Sequence, residues 1–156
     1  MIEFTKAKLS DIPQMQEIVK SEIEEGVILP RSDDEVATNI RSYTIAKQDG
    51  AVIAYAALHI HSSRLAEIRS LIVHKEHRGE SIGKKLVSIL LREASELGIE
   101  EVLVLTYLPE FFKKIGFEDI PKESIPNHKI WADCIKCIHF PLCNEVSLVY
   151  RVGSED

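Results

Sequence analysis

The chain is short of the features that mark several protein classes. Its 156 residues hold 3 cysteines, 7 glycines, 6 prolines and 1 tryptophan, and aromatic residues make up 6%. Cys134, Cys137 and Cys143 are an odd number gathered in the last quarter, which argues against a secreted disulfide framework and for reduced thiols. Glycine and proline form no linker and no repeat is visible. One domain is therefore expected over residues 1–152, with a frayed tail at 153–156. No apolar run approaches the ~20 residues that span a bilayer. The first ten residues contain no signal-peptide core. Both absences predict a cytoplasmic protein with no membrane partner. Cations are also in deficit, with 19 Lys+Arg against 25 Asp+Glu and a net charge of −6. That balance argues against nucleic acid held by bulk charge.

What is present alternates between two periods. Residues 2–7 predict a strand. Ser10 is placed to cap a helix, and Pro13 is tolerated in its first turn because that N–H has no intrahelical partner. Ile12, Met15, Ile18, Val19 and Ile23 recur at helical spacing and predict one buried face, with Gly26 as the stop. Asp33 and Asp34 open a second helix carrying Val36, Ile40 and Tyr43. Residues 43–46 and 51–60 predict strands joined at Asp49-Gly50, a hairpin signal between apolar runs. Residues 66–73 begin by alternating and end almost wholly apolar, as a central strand covered on both faces would. Ile82, Leu86, Ile89, Leu90, Ala94 and Leu97 form a helical stripe ended by Gly98. Residues 102–105 predict a short buried strand and 109–115 a short helix. Residues 145–152 alternate as a final strand, which is a candidate to pair across a homodimer. The sum is a mixed α/β domain.

One segment carries chemistry. Leu71, Ile72 and Val73 end the central strand, and a polar loop then opens the helix near Ser81. The first N–H groups of a helix lack internal partners and, with the helix dipole, suit phosphate oxygens. Gly79 and Gly83 have no Cβ to hold an anion away, and Arg78, Lys84 and Lys85 add positive charge. A tight strand-to-helix turn with solvated basic residues satisfies the same pattern. Neither a Walker A loop nor a Rossmann fingerprint fits.

Arg78-Gly79-Glu80-Ser81-Ile82-Gly83 resembles the Arg/Gln-x-x-Gly-x-Gly/Ala loop of the GNAT family of N-acetyltransferases, which binds the pyrophosphate of coenzyme A. Ser81 stands where that family more often has glycine. Asp49-Gly50 and the following strand resemble the family's central hairpin, and Phe111-Phe112-Lys113-Lys114-Ile115-Gly116-Phe117 resembles its Phe-Tyr-x-x-x-Gly-Phe segment. A narrower similarity is to N-acetylglutamate synthases. It is carried by Ile28-Leu29-Pro30-Arg31-Ser32, Ala66-Glu67-Ile68-Arg69-Ser70-Leu71, Leu105-Thr106-Tyr107, and residues 129–137 with Cys143-Asn144-Glu145, which resemble the short single-domain bacterial form. At 156 residues the amino-acid-kinase-like domain of the long form is not expected here.

The resemblance implies an α/β (α+β) fold, with a mixed, mostly antiparallel sheet flanked by helices and splayed after Val73 to admit a pantetheine arm. It implies acetyl-CoA as co-substrate and L-glutamate as acceptor, in the first step of arginine synthesis. Another amino acid, a polyamine or a protein amine is the alternative acceptor, and a non-catalytic acyl-CoA-binding module is the alternative class. The cofactor contacts implied are Leu71, Ile72, Val73, Arg78, Gly79, Glu80, Ser81, Ile82, Gly83, Lys84 and Phe112. Glu67 is the candidate base, its pKa raised by burial among Leu65, Ala66 and Ile68. Tyr107 replaces, as proton donor, the tyrosine many relatives have where Phe112 stands. Arg31 and Arg69 are the candidates to bind the two acceptor carboxylates, and Arg69 shares a strand face with Glu67 by the two-residue period. Lys114 and Lys129 are weaker candidates. Cys134, Cys137 and Cys143 with His128 and His139 offer zinc-type ligands at uneven spacing, and no metal is expected. His59, His61, His74 and His77 read as strand or loop residues.

Overall fold

The Asp49-Gly50 turn sets the register of the sheet. Both residues take positive φ, 53° and 83°, the left-handed pair that a two-residue hairpin needs. They join β2 (Tyr43–Gln48) to β3 (Ala51–Ile60). The structure, a computed structural model, describes residues 2–24, 32–79, 81–106, 108–121 and 146–152, with the backbone alone at 21–24 and 75. Among these, seven strands form one sheet in the order β1-β2-β3-β4-β5-β7-β6. The remaining strands are β1 (Ile2–Lys6), β4 (Leu65–Val73), β5 (Glu101–Thr106), β6 (Glu118–Asp119) and β7 (Val146–Arg151). Neighbours run antiparallel except β4 and β5, which are parallel. The mixed, mostly antiparallel architecture is the one expected.

Helices cover both faces. They are α1 (Ile12–Glu24), α2 (Asp33–Thr38), α3 (Ile82–Leu97) and α4 (Pro109–Lys113). The crossover helix α3 buries Leu86, Val87, Leu90 and Ala94 against Ala54, Ala56, Ala66 and Ile68. Alanines on the sheet side let the helix lie close. On the other face Ile12, Met15 and Val19 of α1 and Val36 of α2 cover Tyr43, Ile45, Val52, Tyr55 and Ile72.

β4 contains the feature that positions the site. Tyr55 pairs with Ile72 and Ala57 with Arg69, so Ser70 and Leu71 together face Ala56. This is a β-bulge, with Ser70 at φ 56°. The extra residue reverses which side chains face α3: Ala66 and Ile68 do so before it, Leu71 and Val73 after it. It also bends β4 away from β5. The parallel ladder holds only Leu65 to Glu101, Ala66 to Val102 and Glu67 to Leu103. The splay therefore opens after Glu67, earlier than the expected Val73.

Three further expectations are corrected. The end of β4 is not covered on both faces, since Arg69, Ser70, Leu71 and Val73 are half-buried beside the opening. Ser10 does not cap α1; it lies within a 3₁₀ turn, Leu9–Asp11. Asp11 instead accepts the Lys8 N–H at 2.8 Å and pairs with Lys47 at 3.0 Å, because its carboxylate is the stronger acceptor. The second helix stops at Thr38, where the Asn39 amide donates to the Glu35 carbonyl at 2.9 Å. Ile40 falls in a short 3₁₀ turn and Tyr43 begins β2. Glu118–Asp119 adds a strand too short to show a period. Gly26, the expected stop of α1, lies outside the described residues.

Leu90 is fully buried between α3 and the sheet. Leu90→Ala is expected to lower unfolding stability by about 2–5 kcal/mol, measured by urea denaturation.

Candidate active site

Glu67 is the last β4 residue paired to β5, so it stands at the apex of the splay. It is buried, and its Oε1 receives two donors, His61 Nε2 at 2.8 Å and Arg69 Nε at 2.9 Å. Arg69 comes from the same face of β4, as the two-residue period requires. His61 follows β3 and crosses from the neighbouring strand, where His59 pairs with Glu67. The His59 and His61 rings meet edge to face, 4.7 Å apart. Burial pushes the Glu67 carboxyl up, but the His61 and Arg69 bonds and their charge outweigh it and hold the carboxyl below its ordinary 4.5. The expected upward shift is overturned: burial came with two compensating donors.

Beyond the bulge, β4 runs to the loop. His74 N–H donates to the Ile53 carbonyl at 2.8 Å, and His74 Nδ1 accepts from the Glu76 N–H at 3.1 Å. Arg78 Nε donates to the Val73 carbonyl at 3.2 Å, bracing the strand end. Ser81 precedes α3 with φ 65°, and its hydroxyl caps no N–H. The first backbone bond is Lys85 N–H to the Ser81 carbonyl at 3.1 Å. The N–H groups of Ile82, Gly83 and Lys84 thus have no intrahelical partner. A Cβ at Gly79 would meet nothing within 4 Å, so that backbone borders open space.

The loop residues do not all serve as the spacing suggests. A Cβ on Gly83 would meet Phe111 Cζ at 3.4 Å and Val73 Cγ2 at 3.7 Å, ordinary contact distances, so this position faces α4 and the end of β4 rather than the open side of the loop. Ile82 sends its side chain into the core and leaves only its backbone to the loop. Lys85 Nζ lies 5.5 Å over the Phe4 ring, away from the loop, while Lys84 is exposed. Phe112 is 3% exposed and edge-on to both Phe111 and Phe117, so it is core. The half-buried ring beside the loop is Phe111. Ile72 packs under α1, and Leu71 and Val73 flank the opening.

The structure brings Glu67 and Arg69 together and places the loop at the far end of the same strand. Lys114 is exposed beyond α4. Arg31, Glu80, Tyr107, Lys129, His128, His139 and the three cysteines lie outside the described residues. Among the described residues no group of three metal-ligating side chains occurs, and no helix is long and apolar enough to cross a membrane. Sequence reasoning undervalued His61. The signal was available: a turn at residues 62–64 folds residues 59–61 back onto residues 65–67.

Residues 11–117 match the Acetyltransferase (GNAT) family. The chain is 38% identical over 143 residues to an uncharacterized N-acetyltransferase of Chlorobaculum tepidum, covering 92% of each. It is 33% identical over 125 residues to the amino-acid acetyltransferase of Pasteurella multocida, covering 79% of this chain but 28% of that protein. Its fold superposes with TM-score 0.87 on N-acetylglutamate synthase from Neisseria gonorrhoeae, solved with coenzyme A and N-acetyl-glutamate. That match is at 23% identity over 97% of this chain and 35% of the other.

Two outcomes follow from this geometry. Ser81→Gly relieves a left-handed conformation that costs a side chain about 1 kcal/mol; the thermal unfolding temperature should rise, measured by calorimetry. Glu67, with its carboxyl depressed in the fold, contributes stability that is complete above pH 4.5 and lost as pH falls through the lower folded value. Urea titrations below pH 4.5 should therefore show a flatter pH dependence for Glu67→Gln than for the unaltered chain.

Proposed function

Because the chain belongs to the GNAT acetyltransferase family, we propose that it transfers the acetyl group of acetyl-CoA to the α-amino group of L-glutamate, in the cytoplasm and as a step of arginine synthesis. The observation that carries this reading is the place of Glu67. It is a buried carboxylate at the apex of an opening whose other end is a helix start, where the first N–H groups have no intrahelical partner. The amino-acid acceptor is supported by the relatives named for that activity.

Acetyl transfer to an amine needs a bound donor, a polarised carbonyl, a deprotonated amine and both reactants held in place. The residues present fit a nucleotide-bearing thioester. The N–H groups of Ile82, Gly83 and Lys84, the open backbone at Gly79, exposed Ser81, Arg78 and Lys84, with Glu80 between them, hold its pyrophosphate. The main chain of Leu71, Ile72 and Val73, freed from β5 by the splay, takes the pantetheine arm and polarises the carbonyl. Phe112 supports this wall from the core through Phe111.

Glu67 is the catalytic carboxylate. His61 and Arg69 occupy Oε1, so the lone pairs of Oε2 serve a third donor, the acceptor's ammonium or a water bound to it. A carboxyl below 4.5 holds an ammonium well. It is a costly resting place for the proton, since an ordinary α-amino group titrates more than about 3 units higher, a gap above about 4 kcal/mol. Arg31 and Arg69 supply positive charge for the acceptor's two carboxylates, with Arg69 also fixing Glu67. Tyr107, just after β5, is the proton donor to the leaving sulfur.

Thiol release from acetyl-CoA, measured across L-glutamate, other amino acids, polyamines and peptide amines, tests the reading. L-Glutamate should be the best acceptor. A polyamine or peptide preference would move the acceptor to that class, and tight coenzyme A binding with no release would mark a binding module. Arg31→Ala should raise the glutamate KM about 10-fold or more with a smaller change in kcat. Arg69→Ala should lower kcat as well, because it unpins Glu67.

A further inference from the structure

Among the described residues three buried side-chain atoms have no hydrogen-bond partner: Thr44 Oγ1, Ser147 Oγ and His61 Nδ1. Burying a polar atom unpaired is costly, and such atoms are commonly completed by a ligand or an ordered water. The first two are hydroxyls, which turn freely and do not titrate near neutrality. The third is an imidazole nitrogen, the side-chain type that exchanges protons in that range. Its ring is fixed by the other nitrogen, since Nε2 lies 2.8 Å from Glu67 Oε1 and the side chain is 1% exposed. If Nε2 donates to the carboxylate, Nδ1 carries a bare lone pair.

We propose that His61 is the general base of the acetyl transfer, taking the acceptor's proton at Nδ1 directly or through one bridging water, with Glu67 holding its tautomer and balancing the charge it gains. This rests on the acyl-transfer reading above and says where the proton goes. One proton leaves the acceptor's ammonium for Nδ1. The freed lone pair forms the N–C bond to the thioester carbonyl carbon. The C–S bond breaks with its electrons on sulfur, the proton donor named above protonates that sulfur and is reprotonated by the second N–H, and the thiol leaves. The imidazolium then returns its proton to solvent. Charge favours this order. Glu67 lies against the cation that forms, Arg69 shares its Oε1 and keeps the carboxylate ionised, and among the described residues His59 is the other titratable group against the ring. A carboxylate oriented on one imidazole nitrogen while the other takes a proton is a recurring arrangement in acyl-transfer catalysis.

His61→Gln keeps a donor for Glu67 but cannot take a proton. With L-glutamate, or whichever amine the panel selects, kcat is expected to fall about 100-fold or more. The acceptor KM and coenzyme A affinity should stay within about 3-fold, and the acid limb of the pH–rate profile should disappear. Nitrogen-15 spectra of the unaltered protein should show the Nε2–H tautomer at high pH, with Nδ1 gaining a proton along the same acid limb. A His61→Gln enzyme with near-normal kcat and an unchanged acid limb overturns the proposal. So does an Nδ1 that does not titrate with the rate, and that spectrum decides alone if the variant fails to fold. An unaltered protein that acetylates no amine overturns the acceptor reading and this one together; an active one that fails the His61 tests overturns only this.

Discussion

The extra residue in β4 is the constraint from which the site follows. Up to Glu67 the strand is locked between β3 and β5, and its side chains belong to two packed faces. From Ile68 on it keeps β3 but has lost β5, and past Ser70 the main-chain groups on that side are released with the register offset. A bulge bends a strand and offsets its register by one. Here the offset also turns Leu71 and Val73 toward α3, so the bent half stays anchored by burial while its edge is open. An unpaired strand edge is normally a hazard. Placed between a crossover helix and the far half of the sheet, it becomes a groove.

The second determinant is electrostatic. Burying a carboxylate among Leu65, Ala66 and Ile68 would on its own favour the neutral acid. Placing His61 and Arg69 on the same oxygen reverses that outcome, and Glu67 stays ionised inside the protein. The same two bonds fix its orientation, which matters because a charged group that must meet a substrate loses efficiency with small displacements. Stabilising the charge and weakening the carboxylate as a proton acceptor are one effect, so a carboxylate built this way needs another group if a proton is to be carried away.

Much of this was legible in the sequence. The strands, the long helix and the Asp49-Gly50 hairpin follow from period and turn chemistry, and Arg69 beside Glu67 follows from the two-residue repeat. The loop at Arg78 to Gly83 was readable as a motif. What the sequence hid depended on tertiary pairing. A bulge leaves no period of its own, so the splay was placed six residues late. The sign of the Glu67 shift required knowing that His61 returns across a turn. Phe112 and Phe111 are adjacent and chemically identical, and only the rotation of a five-residue helix decides which one faces the loop. Ser10 caps nothing because a 3₁₀ turn precedes α1, held by the Asp11 carboxylate on the Lys8 N–H and on Lys47.

The contact between Gly83 and Phe111 ties two short stretches of chain that share no hydrogen bond. A methyl group at position 83 would meet the Phe111 ring at 3.4 Å and Val73 at 3.7 Å, ordinary packing distances. The site therefore holds room for alanine, and the glycine is not imposed by crowding. Alanine at 83 would rest against that ring and remove the conformational freedom that glycine brings to a helix, a gain of about 1 kcal/mol.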